Sequence, residues 1–241
     1  MRNICVIAHG VIKELFRRKD FYFIFMLLLV VILYSSSISF GGERGFQRYF
    51  KEIGVTLTYI FSVIIAVSFA ARQIPQEVET KTVYVLLAHP LSRFQFIVGK
   101  YFGVLVISAA SFSLFYFSFI ISLFLRGDRS TPLILLLEGY VLHVLLLGLI
   151  SSVTIFLSLY LSTMANTWIS LVLYFGTNWF GANIGGYIFL PHPELFDIKE
   201  RIVHSHDIIP VWVISFLTVY AAVYSLIFLT SSYLVFRKRN L

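Results

Sequence analysis

Residues 72–103, RQIPQEVETKTVYVLLAHPLSRFQFIVGKYFG, separate two long apolar runs, and their reading decides the fold. Pro75 disfavours a helical conformation at Ile74 and suits the first turn of a new helix. From Gln76 to Ala88 the residues are mostly good helix formers, with Glu77 and Lys81 in the favourable i,i+4 order. His89-Pro90 ends that helix. Ser92, with Gln95 three residues on, reads as a capping box that starts a second helix. This second helix passes through Phe94, Phe96, Ile97 and Val98 straight into the next apolar run. A short helix, a proline turn and a helix entering an apolar span form a compact polar knob. It holds no nucleophile–base pair and no metal-ligand cluster, so it suits docking better than chemistry.

Composition sets the class. A chain of 241 residues, 59% hydrophobic and only 13% charged, is not an ordinary soluble domain. Its apolar residues come in runs of about twenty, the length a helix needs to cross a bilayer. The single cysteine, Cys5, excludes a disulfide framework and a multi-cysteine zinc site within one chain. A net charge of +7 could suggest nucleic acid, but the basic residues flank apolar spans. Anchoring at a lipid surface explains them more simply, and no nucleic-acid partner is expected.

The expected fold is an all-α membrane protein, a single transmembrane domain over residues 1–241 with spans near 21–40, 53–71, 101–125, 133–161, 167–181 and 211–236. Ahead of the first span, Asn3 to Arg18 is amphipathic. Ile4, Ala8, Val11 and Leu15 share one helical face, while His9, Lys13 and Arg17 lie opposite, so the segment should rest in the headgroup plane. A signal peptide is disfavoured because the following apolar run is too long and lacks a small-residue cleavage site. Polar loops are expected around Glu43 to Glu52, Arg126 to Pro132 and Ser162 to Asn166, with a longer outer segment from Tyr187 to Ile209. With both termini inside, twelve of the 19 Lys and Arg residues fall on the inner side and seven on the outer. Six spans with both ends cytoplasmic follow.

The knob also carries a resemblance. Glu77-x-Glu79-x-x-Thr82, then Leu86-Leu87, Pro90-Leu91-Ser92-Arg93 and Gly99-Lys100, resembles the loop of ABC-2 type transporter permeases. The likeness is densest over residues 72–103, and hydropathy and topology extend it over the chain. Lys81 departs from the pattern, where a small residue, often Gly, is usual. The resemblance implies an N-terminal interfacial elbow helix and a cytoplasmic coupling helix between spans 2 and 3. It casts Glu77, Glu79, Thr82, Pro90 and Arg93 as residues that couple to an ATPase. Two ATP-binding cassette ATPase subunits, a second permease copy or homologue and a plasma-membrane location are implied with it. So are a path along spans 2 and 5, outer short helices that dip back into the membrane, and export rather than import.

No G-x-x-x-x-G-K-[ST] string occurs, since Phe94 stands where Gly99-Lys100 would need its upstream glycine. No cofactor is therefore expected in this chain, and ATP with its Mg belongs to the partner ATPase. G-x-S-x-G and H-E-x-x-H are also missing, which leaves an intramembrane enzyme without a basis. Glu138 and His143 fall within the fourth span, where a charged group costs ~2.5–3.5 kcal/mol on insertion scales. They could line a translocation path, or the span could hold Glu138 near its outer end or neutral and hydrogen-bonded. The path reading supports an alternative function, a self-standing secondary transporter or channel, although no internal repeat is visible. His192, His204 and His206 with Glu194, Asp197 and Asp207 have metal-ligating chemistry without compact spacing, and a solvated loop is the expectation. Gly99-x-x-x-Gly103 and Gly181-x-x-x-Gly185 permit close helix approach.

Overall fold

A computed structural model describes residues 42–80, 92–125, 131–180, 191–204 and 208–238, with isolated helical positions at 7, 9–11, 13, 22, 26 and 30. Among the described residues every regular element is helical. They are α1 (Gly42–Arg72), α2 (Pro75–Glu79), α3 (Arg93–Leu125), α4 (Leu133–Leu157), α5 (Thr163–Phe180), a 3-10 turn (Pro193–Phe196), α6 (Lys199–His204) and α7 (Val211–Lys238). Four helices are long and apolar enough to cross a membrane: α1 with its continuation into α2, α3, α4 and α7. The expected first span lies outside the described residues apart from Tyr22, Met26 and Val30, which are helical, four apart and exposed. The segment before it is described at few positions, with Val11 buried and His9 and Lys13 exposed, as its amphipathic pattern predicts.

α4 is the central helix. It is apolar all round and buries Leu135, Leu136, Leu142, Leu146, Leu147 and Ile155. α7 instead buries one stripe, Leu217, Ala221, Ser225, Leu229, Ser232 and Phe236, at steps of three and four. Its other faces carry exposed Val211, Trp212, Phe216, Val219 and Leu226, a surface suited to lipid tails. Small residues in the stripe let the helix lie close to its neighbours, and Phe228 meets Phe156 of α4 at 5.8 Å between ring centroids.

Three boundaries differ from the sequence expectation by several residues. The loop expected around Glu43 to Glu52 is helical, because α1 begins at Gly42. Phe50 is buried and stacks on Phe119 of α3 at 6.0 Å, so this charged turn has an apolar face to dock. The fourth span, expected to reach residue 161, stops at Leu157, and α5 starts at Thr163 rather than 167. Asn166 does not break α5: its side-chain amide donates to the Thr154 carbonyl at 3.0 Å and its carbonyl oxygen accepts from Ser170 Oγ at 3.2 Å. A buried amide with both ends satisfied is compatible with a helix.

The segment between α5 and α6 folds back on the bundle at residues 191–196. His192 meets the Tyr220 hydroxyl through its backbone N–H at 3.0 Å and its Nδ1 at 3.1 Å. Tyr220 lies about 14 Å along α7 from its first residue at a helical rise of ~1.5 Å, and buried Phe196 packs beside it.

Candidate functional site

At one end of the bundle α1, α4 and α7 finish while α3 and α5 begin, and α2 follows α1 there. Ile74 keeps helical dihedrals, φ −94° and ψ −48°, despite the proline that follows. Its side chain is fully buried, and that burial outweighs the steric preference against this conformation. Val78 then donates its N–H to the Ile74 carbonyl at 3.1 Å, and Thr80 Oγ1 to the Gln76 carbonyl at 2.8 Å, which closes the short helix. Between α2 and the α4–α5 turn opens a polar cleft of about 240 Å³, lined by Pro75, Val78, Glu79, Ser158, Tyr160 and Ser162 among others. Glu79 and Tyr160 are exposed at it.

The proposed coupling residues separate into different environments. Thr82 and Pro90 lie outside the described residues, as does Lys81, so its expected pairing with Glu77 is not described. Glu77 turns inward and pairs with Lys100 Nζ of α3 at 2.5 Å. Arg93 opens α3, the second helix of the knob, and its guanidinium donates to the carbonyls of Phe236 at 3.0 Å and Arg237 at 2.8 Å, capping the end of α7. Only Glu79 of the described set meets the expectation of an exposed charge. The capping box is as read: Gln95 N–H donates to Ser92 Oγ at 3.1 Å, and Ser92 N–H to Gln95 Oε1 at 3.3 Å. Sequence reading missed Lys100, whose partner is 23 positions away, and Tyr160, which looked like part of a span.

Glu138 and His143 both lie within the fold. Glu138 is 7% exposed and accepts the Ile209 N–H at 3.0 Å, just ahead of the first turn of α7, where a carboxylate is favoured by the helix dipole. His143 is fully buried between the rings of Tyr59 and Phe112, at 4.0 and 4.4 Å between centroids, with Nε2 2.6 Å from Ser62 Oγ. The Ser62 hydroxyl donates its one proton to the Tyr59 carbonyl at 2.8 Å, so Nε2 carries the imidazole hydrogen. Tyr116 donates to the Leu136 carbonyl at 2.8 Å and closes the cluster. Neither residue lines the described cavities.

A family model described as "ABC-2 family transporter protein" matches residues 12–194. The chain belongs to this ABC-2 transporter family. No curated protein matches it. The chain is thus an integral membrane protein, a non-catalytic membrane component that works with an ATP-binding cassette component.

The opposite end of this ABC-2 component holds a wider mouth. A cavity of about 520 Å³ is lined by Thr56, Tyr59 and Ile60 of α1, Tyr174 and Phe175 of α5, and the segment from Glu194 to Arg201. Asp197 accepts the Lys199 N–H at 3.0 Å and pairs with its ammonium at 3.0 Å, which fixes the step between the 3-10 turn and α6. Desolvation holds the Glu194 carboxyl above the usual carboxylate range. Arg48 of α1 donates to His204 Nε2 at 3.2 Å. Among the described residues no group of His, Cys, Asp and Glu could hold a metal ion, and His206 and Asp207 lie outside them.

Proposed function

We propose that the chain is the permease subunit of an ATP-binding cassette exporter and that a separate ATPase seats in the cleft between α2 and the α4–α5 turn. The cleft carries this reading. It is a polar concavity on a greasy chain, formed by two elements distant in sequence, with an exposed carboxylate at Glu79 and an exposed aromatic at Tyr160. Tyrosine is one of the residue types enriched among the anchors of protein interfaces.

In this reading the cleft end and both termini face the cytoplasm of a plasma-membrane protein, and residues 1–241 form one transmembrane domain. Two ATPase subunits hold ATP and Mg, and a second permease copy or homologue completes the path. ATP-driven closure of the ATPases moves α2 and the 158–162 turn, and cargo leaves through the mouth between α1 and α5. A self-standing carrier worked by Glu138 and His143 is the weaker reading, since a backbone N–H holds one and a serine in an aromatic cage the other. The test is purification of the tagged full-length chain from mild detergent. Co-purification of a nucleotide-binding protein whose ATP hydrolysis changes on removal of the permease supports the proposal. A chain that purifies without such a partner and moves cargo without ATP overturns it.

A further inference from the structure

A docked knob transmits motion only if it is rigidly joined to a span, and α2 has five residues, too few to be stiff alone. The structure supplies a ladder of side chains at this joint. The Glu77 carboxylate holds the Lys100 ammonium, which also lies 5.8 Å from the centroid of the Phe96 ring. Phe96 stacks on Phe236 of α7 at 5.7 Å with 16° between the planes. The Arg93 guanidinium sits 5.9 Å from the Phe236 centroid and donates to the last carbonyls of α7. Both rings are buried, and Lys100 is 7% exposed.

Lys100 is placed two turns inside α3, about 10 Å from its first residue at a helical rise of ~1.5 Å, where a free ammonium is disfavoured. Its stem runs back along Phe96 so that the charge meets a carboxylate and a ring face together. Packing alone could be supplied by an apolar side chain at this position, and a buried ion pair is weak evidence of stability. What the pair adds is a direct polar tie between α2 and α3.

We propose that the ladder Glu77–Lys100–Phe96–Phe236–Arg93 joins α2, the start of α3 and the end of α7 into one rigid transmission unit, with Lys100 as its positioning residue. Displacement of the knob is then carried into α3 and α7, whereas across the cleft the α4–α5 turn can move against it. The inference rests on the permease reading for its use, but the ladder itself is tested without any ATPase.

The experiment places spin labels on exposed Gln76→Cys and Lys238→Cys in the full-length Cys5→Ser chain and reads the distance distribution between them in lipid nanodiscs. With Lys100 present, the distribution is narrow. Lys100→Met keeps the stem over Phe96 and leaves Glu77 able to reach water, so the chain folds while the distribution broadens about twofold. Lys100→Arg and the exchange Glu77→Lys/Lys100→Glu restore the narrow distribution. In the complex with the co-purifying ATPase, Lys100→Met retains binding but lowers permease-dependent phosphate release about fivefold. Arg93→Met cuts the other end of the ladder and broadens the same distance, which decides the matter if Lys100→Met does not fold. Unchanged widths in these variants, or broadening that the charge exchange does not reverse, overturn the ladder. Failure to find any ATPase counts against the permease reading and leaves the distance result standing.

Discussion

Glu77 and Glu79 stand two positions apart on one short helix and answer to different partners. Glu79 is exposed at the cleft, while Glu77 is committed to Lys100. Reversing both together would therefore mix a docking effect with a folding effect. Glu79→Lys alone should leave expression and thermal unfolding unchanged, since an exposed charge contributes at most ~1 kcal/mol to the fold. It should weaken ATPase capture about fivefold, read by pull-down across a salt series, with the loss shrinking at high salt. Equal capture by the variant would remove Glu79 from the interface. His143 provides the second residue-scale prediction. Ser62 is the acceptor for its Nε2–H, so Ser62→Ala strands a buried donor and should cost about 1–3 kcal/mol. Adding His143→Phe removes the stranded group and should recover most of that loss. Thermal unfolding of the purified single and double variants measures both. An unaltered melting temperature in Ser62→Ala would mean that the cage is hydrated and open, as a path would be.

At the scale of elements, the close contact of α1 with α3 turns on Gly54. A Cβ there would lie 2.5 Å from Cδ2 and Cε2 of the Phe119 ring, and that ring is fully buried and stacked on Phe50. The ring has no free end to swing away, so Gly54→Ala should destabilise the chain by about 1–3 kcal/mol. A melting temperature equal to wild type would show that the helices can part at no cost. The same contact explains what the sequence left illegible. Glu43 to Glu52 reads as loop by charge, yet Phe50 and Gly54 are spaced to meet α3, and only the partner helix reveals that. The end of α4 failed for the opposite reason: Leu159 and Leu161 continue the apolar run, while the chain has already turned at Ser158. Signals contained within a few residues were legible, as the Ser92–Gln95 box shows. Ile74 was misread because tertiary burial overrode a local steric rule. The cleft itself was half legible: its α2 wall was expected to meet the ATPase, but Tyr160 and the inward turn of Glu77 required the third dimension.

For the whole molecule the decisive quantity is which end of the bundle faces the cytoplasm. The cleft end gathers Arg72, Arg93, Lys100, Arg237 and Lys238, and the sequence assigns twelve of the 19 basic residues to that side. Such a bias retains a loop in the cytoplasm during insertion. The opposite end has cations too, among them Lys199, paired with Asp197, and Arg48, bonded to His204. Placing a reporter near Pro193 would disturb the segment that reaches Tyr220, because Pro193 is buried and neighbouring His192 makes the contact. Glu200 is exposed on α6 and Lys238 is exposed at the end of α7, so both accept a small probe without loss of packing. In a Cys5→Ser background, Glu200→Cys should react with a membrane-impermeant maleimide added to intact cells. Lys238→Cys should react only after the membrane is opened. Ionic-strength controls matter little here, since the maleimide reads sidedness and not affinity. The reverse labelling pattern would put the cleft outside, where no ATP is supplied, and would end the permease orientation together with the docking assigned to Glu79.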